Sequence, residues 1–210
     1  WATNLQPFFM GIIISVVVGV VLTLPISSAA ICAAVGISGG AVLAGVLDGS
    51  ISMGVWNGLA LAGGAATVGC CCNMLGFAVI SYPDNGVGGL VAQGLGTSML
   101  QVPNLMRKPI LWIPPVLTSA ILGPVATCIF QLRNNGAAIS SGMGTAGLVG
   151  PIGIITGWSN MPEGYAVGAF DWLGMILVCF VLPVLLSWAI GKFMRKKGWI
   201  KEGDLKVDLG

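Results

Sequence analysis

Three observations predict an all-α polytopic membrane protein, a transmembrane helix bundle with two oppositely inserted re-entrant hairpin loops. They are sparse charge, apolar runs of membrane-spanning length, and a glycine-rich phrase written twice. Apolar residues make up 56% of the 210 positions and charged residues only 8%. Soluble domains carry about 25% charged residues, so this chain has too few to cover a surface facing water.

The apolar runs come first, because a helix crossing hydrocarbon needs about twenty such residues. Residues 8–30 supply one span, with Pro25 expected as a kink near its far end. Residues 33–47 are apolar but short and end in Asp48-Gly49-Ser50, which leaves open a half-span, a tilted helix or an extension of the preceding unit. Residues 55–80 form a second full-length run, rich in small residues suited to close helix contact. Residues 110–132, with Pro114, Pro115 and Pro124, form a third, and residues 170–191 the last.

Two glycine-rich segments remain. The phrase GLGTSMLQVP at 94–103 returns forty-eight positions later as GMGTAGLVGP at 142–151, sharing two glycines, a threonine, a leucine and the proline. Each copy follows an Asn-Gly step, Asn85-Gly86 and Asn135-Gly136, a strong turn signal. Charge placement assigns the sides. Between Trp1 and Met106 the only charges are Asp48 and Asp84, whereas five basic residues crowd positions 192–201, which makes the C-terminus cytoplasmic. With Arg107 and Lys108 also cytoplasmic, residues 133–171 must leave and return to the outer face. The second phrase is therefore expected to dip in from outside and the first from the cytoplasm, as loops spanning about 85–104 and 134–157. Tight helix packing through small residues is the alternative. The domain division expected is a transmembrane carrier domain over 1–191 and a basic tail over 192–210.

Broken backbone in lipid calls for a polar guest. The side chains near the phrases are amides and hydroxyls, which donate and accept and so match a neutral polyhydroxyl ligand. The expected substrate-binding set is Asn85, Gln93, Gly94, Gly96, Thr97, Ser98 and Gln101 in the first segment. In the second it is Asn134, Asn135, Ser140, Ser141, Gly142, Gly144 and Thr145. Asn57, Asn73 and Gln131 could add to a cavity or act as interhelical glue. Only Arg133 is placed to serve an anion. Trp112, Trp158, Trp172, Trp188 and Trp199 are expected to anchor at membrane interfaces, stacking of Trp158 on a sugar being the alternative.

Six cysteines lie in apolar stretches without paired spacing, and the chain contains no histidine. Free thiols in small-residue packing follow, and neither a metal site nor a cofactor is expected. No catalytic triad or phosphate-binding P-loop is present in the sequence, so the chain is not expected to be an enzyme by itself. The basic tail is expected to be a topology anchor rather than a nucleic-acid site. Trp1 is not an initiator methionine and no signal sequence precedes the first run, so the chain is expected to begin inside a longer protein.

The stretches PDNGVGGLVAQGLGTSMLQVPN, LWIPPVLTSAILGP and NNGAAISSGMGTAGLVGPIG resemble a membrane subunit of the bacterial phosphotransferase system, enzyme IIC. More narrowly, the chain resembles the branch some of whose members carry the label of toxin-production regulator. The likeness runs from about residue 25 to residue 197. The resemblance implies a homodimeric carrier in the bacterial cytoplasmic membrane, moving a small neutral sugar by alternating access. It also implies IIB and IIA partners, phosphorylation of the sugar from the cytoplasm, and early spans missing from this chain. Glucose-type carriers use a Gly-Ile-Thr-Glu stretch, and here residues 153–157 read Gly-Ile-Ile-Thr-Gly without the acid. Glu163 or Asp171 is the candidate for that role. A sugar sensor that does not transport, and an ion channel whose loop carbonyls line a pore, are the competing classes.

Overall fold

A computed structural model describes residues 6–207, so the outermost ends of both expected domains lie outside the described residues. Among these residues the regular structure is helical throughout, with no strand. Three helices are long and apolar enough to cross a membrane: Met53–Ile80, Pro109–Ile129 and Ala169–Lys196.

The first helix, α1 (Pro7–Thr23), is shorter than the expected run to residue 30. It stops at Leu24, ahead of Pro25, whose ring forces the preceding residue out of the helical region. The ambiguous stretch that follows resolves into α2 (Ser28–Val35), a left-handed Gly36, a short turn at Gly39–Ala41 and α3 (Leu43–Leu47). It is therefore neither a full span nor a continuation of α1.

At the centre is α4 (Met53–Ile80), which Ser52 opens by accepting a hydrogen bond from the Val55 amide. Most of its length is buried, because α1, α7 (Ile113–Pro124) and α11 (Leu182–Lys196) all pack around it. Small residues set the spacing: a Cβ at Gly69 would run into the backbone of Ser15 on α1. Cys70, Cys71 and Cys72 fill this packed zone, while Cys128 is exposed, and all are free thiols.

Two helices widen just where proline intervenes. A π-helical turn at Val125–Ile129 follows Pro124, and another at Leu177–Val181 joins α10 (Ala169–Ile176) to Pro183 in α11. Proline removes a backbone donor, and the wider turn re-pairs the neighbouring carbonyls.

The remaining segments double back. Residues 82–107 leave the Ile80 end of α4 as α5 (Tyr82–Val91), bend at Thr97 and return as α6 (Val102–Arg107). Residues 134–158 leave the opposite half of α4 through the short α8 (Ala138–Ser141), turn at residues 142–148 and return as α9 (Val149–Trp158). The amide of Asn134 donates to Ala60 on α4, and the Asn135 side chain reaches Gly157 and Asn160, which closes the second hairpin on itself.

Candidate functional site

The bends of the two hairpins meet. Thr145 of the second donates its hydroxyl to the Gly94 carbonyl of the first at 2.6 Å, with both residues buried. The junction lies beside α4, where Gly144 rests on Cys70 and Cys71 and Gly94 rests on Leu75 and Ala78.

Each bend is built differently. In the first, the helix stops at Gly96 and Thr97 takes an extended conformation, its hydroxyl accepting from the Met99 amide to start the return limb. In the second, Gly144 and Gly147 have positive φ and Leu148 is also left-handed before α9 begins. A side chain at Gly144 would meet Cys70 and the backbone of Cys71, and one at Gly142 would meet the backbone of Ser28. Ser28 also donates to the Gly142 carbonyl at 2.6 Å, tying α2 to the second bend.

Between the bends is a cavity of about 430 Å³. Gly96 and Thr97 line it from the first hairpin, Met143 and Ala146 from the second, Ser27 and Ser28 from the start of α2, with Met74 and Leu22 among its apolar walls. Of the fourteen residues expected at a substrate site, Gly96 and Thr97 reach this cavity. Asn135 lines a separate one of about 380 Å³ with Gly40, Gly136, Thr156 and Asn160.

Most of the other expected residues are buried in hydrogen-bond networks. Asn134 donates to Thr67, Ser140 and Ser141 at 3.0 to 3.3 Å and accepts from the Gly136 amide, while Ser141 donates to Ile37. Asn135 accepts from the indole of Trp56 at 2.8 Å. Ser98 meets Thr23 at 3.1 Å, and Thr23 leads on to Asn73, which donates to Ser119. Asn73 is therefore interhelical glue. Among the described residues no buried side-chain polar atom lacks a partner. Asn85, Gln93 and Gln101 sit at the mouth of the first hairpin, facing the C-terminal segment.

The charged candidates lie away from the junction. Arg133 donates to Asn57 and Gln131 and stacks 4.7 Å over Tyr165. Glu163 is exposed in the loop after α9, and Asp171 accepts from the Gly168 amide at the start of α10. Of the tryptophans, Trp172, Trp188 and Trp199 are exposed on the outside of the bundle, and Trp158 packs against Trp172. Trp56, Ser28, Ser38 and Thr67 were not singled out from the sequence, because each meets a partner far along the chain. Ser38 donates to the carbonyls of both Asn134 and Gly136.

Comparison with known families matches residues 1–207 to the family described as Phosphotransferase system, EIIC. The chain belongs to that EIIC family. No curated protein and no solved structure matches it significantly. Membership, together with the apolar helices, makes this EIIC chain a membrane-embedded permease subunit of sugar transport. The family likewise implies a sugar and the IIB and IIA components as its partners.

Proposed function

We propose that this EIIC chain carries a small neutral sugar by alternating access, with the two hairpins as oppositely inserted re-entrant loops and the cavity between their bends as the substrate site. The observation that carries the reading is the Thr145–Gly94 hydrogen bond, which joins two helix-breaking phrases approaching from opposite ends of α4. Helix interruptions with exposed backbone dipoles, facing each other at a repeat interface, are how transporters build midplane sites. A cavity of about 430 Å³ lies in the range typical of small-molecule pockets. Its polar groups are the neutral Thr97, Ser27 and Ser28, and no basic residue lines it, which favours an uncharged polyol over an anion.

In this arrangement Asn134 and Asn135 hold the second hairpin in place through bonds within the protein, and the sugar's hydroxyls meet Thr97, Ser27 and Ser28 at the cavity wall. The chain acts as a homodimer in the bacterial cytoplasmic membrane, with residues 192–210 on the cytoplasmic side and the sugar phosphorylated there by a IIB partner. Its likeness to chains labelled toxin-production regulators leaves sensing without transport as the second reading.

A thermal-shift series on the purified protein against neutral sugars and simple ions tests the ligand class. A sugar should raise the unfolding temperature, and Thr97→Val should reduce that rise. Stabilisation by an ion and by no sugar would overturn the assignment. Uptake into vesicles, with and without a IIB partner, then separates carrier from sensor.

A further inference from the structure

The C-terminal segment does not trail away from the bundle. Residues 199–207 turn back after α11 and lie across the mouth of the first hairpin, and they are held mainly through their own backbone. The Leu205 carbonyl accepts from Asn85 at 2.7 Å and from Gln101 at 3.0 Å. Asn104 donates to the Lys206 carbonyl at 2.9 Å, and the Val207 amide donates to Asn85 at 2.8 Å. Behind these contacts the amides support one another, Asn104 to Gln101, Gln101 to Gln93 and Gln93 to Ser81.

We propose that Asn85, Gln101 and Asn104, backed by Gln93, form a binding slot for a short turn-forming peptide, filled here by the chain's own residues 201–207 as a releasable strap. Three features point to this. The slot reads two carbonyls and one amide of the peptide backbone, beside a turn that the Asp204 and Lys206 amides close on the Lys201 and Gly203 carbonyls. Leu205 is the anchor, fully buried among Phe77, Ile80, Leu105 and Met194. Charge flanks the anchor: Asp204 pairs with Lys108, and Asp84, itself paired with Arg195, accepts from the Gly203 amide.

The strap bridges both limbs of the hairpin, Asp84 and Asn85 on the outgoing side and Gln101, Asn104 and Lys108 on the return. Those limbs cannot separate at this end while it is seated. Release is feasible because the strap is neither helix nor strand, Gln93, Gln101 and Asn104 stay bonded to one another, and Asn85 keeps the Ser81 carbonyl. The second hairpin has no such replaceable element, since Asn134 and Asn135 are satisfied by the hairpin itself and by α4. This inference goes beyond the sugar assignment and does not depend on it.

The test adds a fluorescent synthetic peptide of residues 199–210 to the full chain in lipid nanodiscs, comparing wild type with Leu205→Asp, which places a carboxylate in the apolar anchor site and so expels the strap. Saturable binding is expected to the variant, at least ten-fold tighter than to wild type, and lost when the peptide carries the same Leu→Asp change. Equal binding to both proteins, or no binding to a variant that keeps its helical circular dichroism, overturns the proposal. Should the variant misfold, hydrogen exchange on wild type decides. The Gly203 and Val207 amides should exchange together and at least ten-fold faster than those of α4, and exchange only on global unfolding would rule out a releasable strap.

Discussion

The phrases at 94–103 and 142–151 share five residues, yet the structure uses the shared residues differently. In the second copy both glycines are sterically required: Gly142 is pressed on Ser28, and Gly144 lies on Cys70 with φ at +53°. In the first copy Gly94 has only ordinary neighbours at 3.5 Å or more, and Gly96 has open space around its Cβ position. The threonines differ too. Thr145 spans the junction to Gly94, whereas Thr97 caps its own return limb and borders the cavity. One hairpin is thus packed into the bundle through its backbone, and the other is held by replaceable contacts. A broken helix can be filled by backbone packing, as at Gly142 and Gly144, or leave open space at its bend, as at Gly96.

Substitution at matched positions offers the largest contrast. Gly144→Ala should destabilise the protein by on the order of 3 kcal/mol, from a left-handed backbone forced on alanine plus collision with α4. Gly96→Ala should change stability by less than about 1 kcal/mol and in the favourable direction, since alanine is the better helix former. Thermal unfolding in detergent would measure both, and equal losses would abolish the distinction between the hairpins.

A smaller contrast comes from the amides. Asn134→Ala strands the Gly136 amide and removes a donor from three hydroxyls that keep their own carbonyl acceptors, and should cost about 2 kcal/mol. Asn104→Ala, at the half-exposed mouth, should cost about 0.5 kcal/mol, because water replaces what is lost. Denaturant titration of the two variants would sharpen the ranking or reverse it.

Thr145→Val keeps the side-chain shape while removing the bond between the bends, and about 1 kcal/mol of stability should go with it. A readout of local opening suits this variant best: hydrogen exchange at residues 92–98 should quicken, while α4 stays protected. If exchange is unchanged, the two bends are not coupled.

The smallest expected effect is that of pH on the strap. Burial works to raise the Asp204 carboxyl, but hydrogen bonds from Lys108 and the Lys201 amide, with the charges of both lysines, outweigh it and hold it below its ordinary value of 3.8. A depressed carboxylate contributes anchoring that is fully present above its unfolded value and is lost as pH falls through the lower folded value. Emission from Trp199, next to the strap, should therefore stay flat between about pH 5 and pH 8 and shift only below about pH 4. A shift near neutral pH would show that Asp204 is not what pins the strap.

Much of the fold was legible because its signals are local. The apolar runs at 55–80, 110–132 and 170–191 became helices with bounds close to those expected, and the glycine-rich phrases became bends. The Asn-Gly signal was realised in one copy: Gly86 takes φ of +59°, while Gly136 has an ordinary φ and is wedged against the carbonyl of Gly153. The first span ended early because proline decided it ahead of hydropathy. Less of the site was legible. Amides and hydroxyls were read as ligand contacts from their chemistry, but a hydrogen-bonding group is equally content with a protein partner, and the partner's identity depends on the fold. Trp56 meeting Asn135, and Leu205 seated between Asn85 and Gln101, join residues that no window of sequence brings together.

The order of residues alone determined that this chain lives in lipid, where its three long apolar helices lie and where helices must break, since side-chain polarity, glycine and proline act within a few residues of themselves. Only the tertiary structure decided that the two breaks touch, which one is packed immovably and which is closed by the chain's own tail. Those outcomes depend on the approach of backbones about 50 to 120 residues apart in sequence, and a distance in space that separates them by even a few ångströms removes the bond altogether.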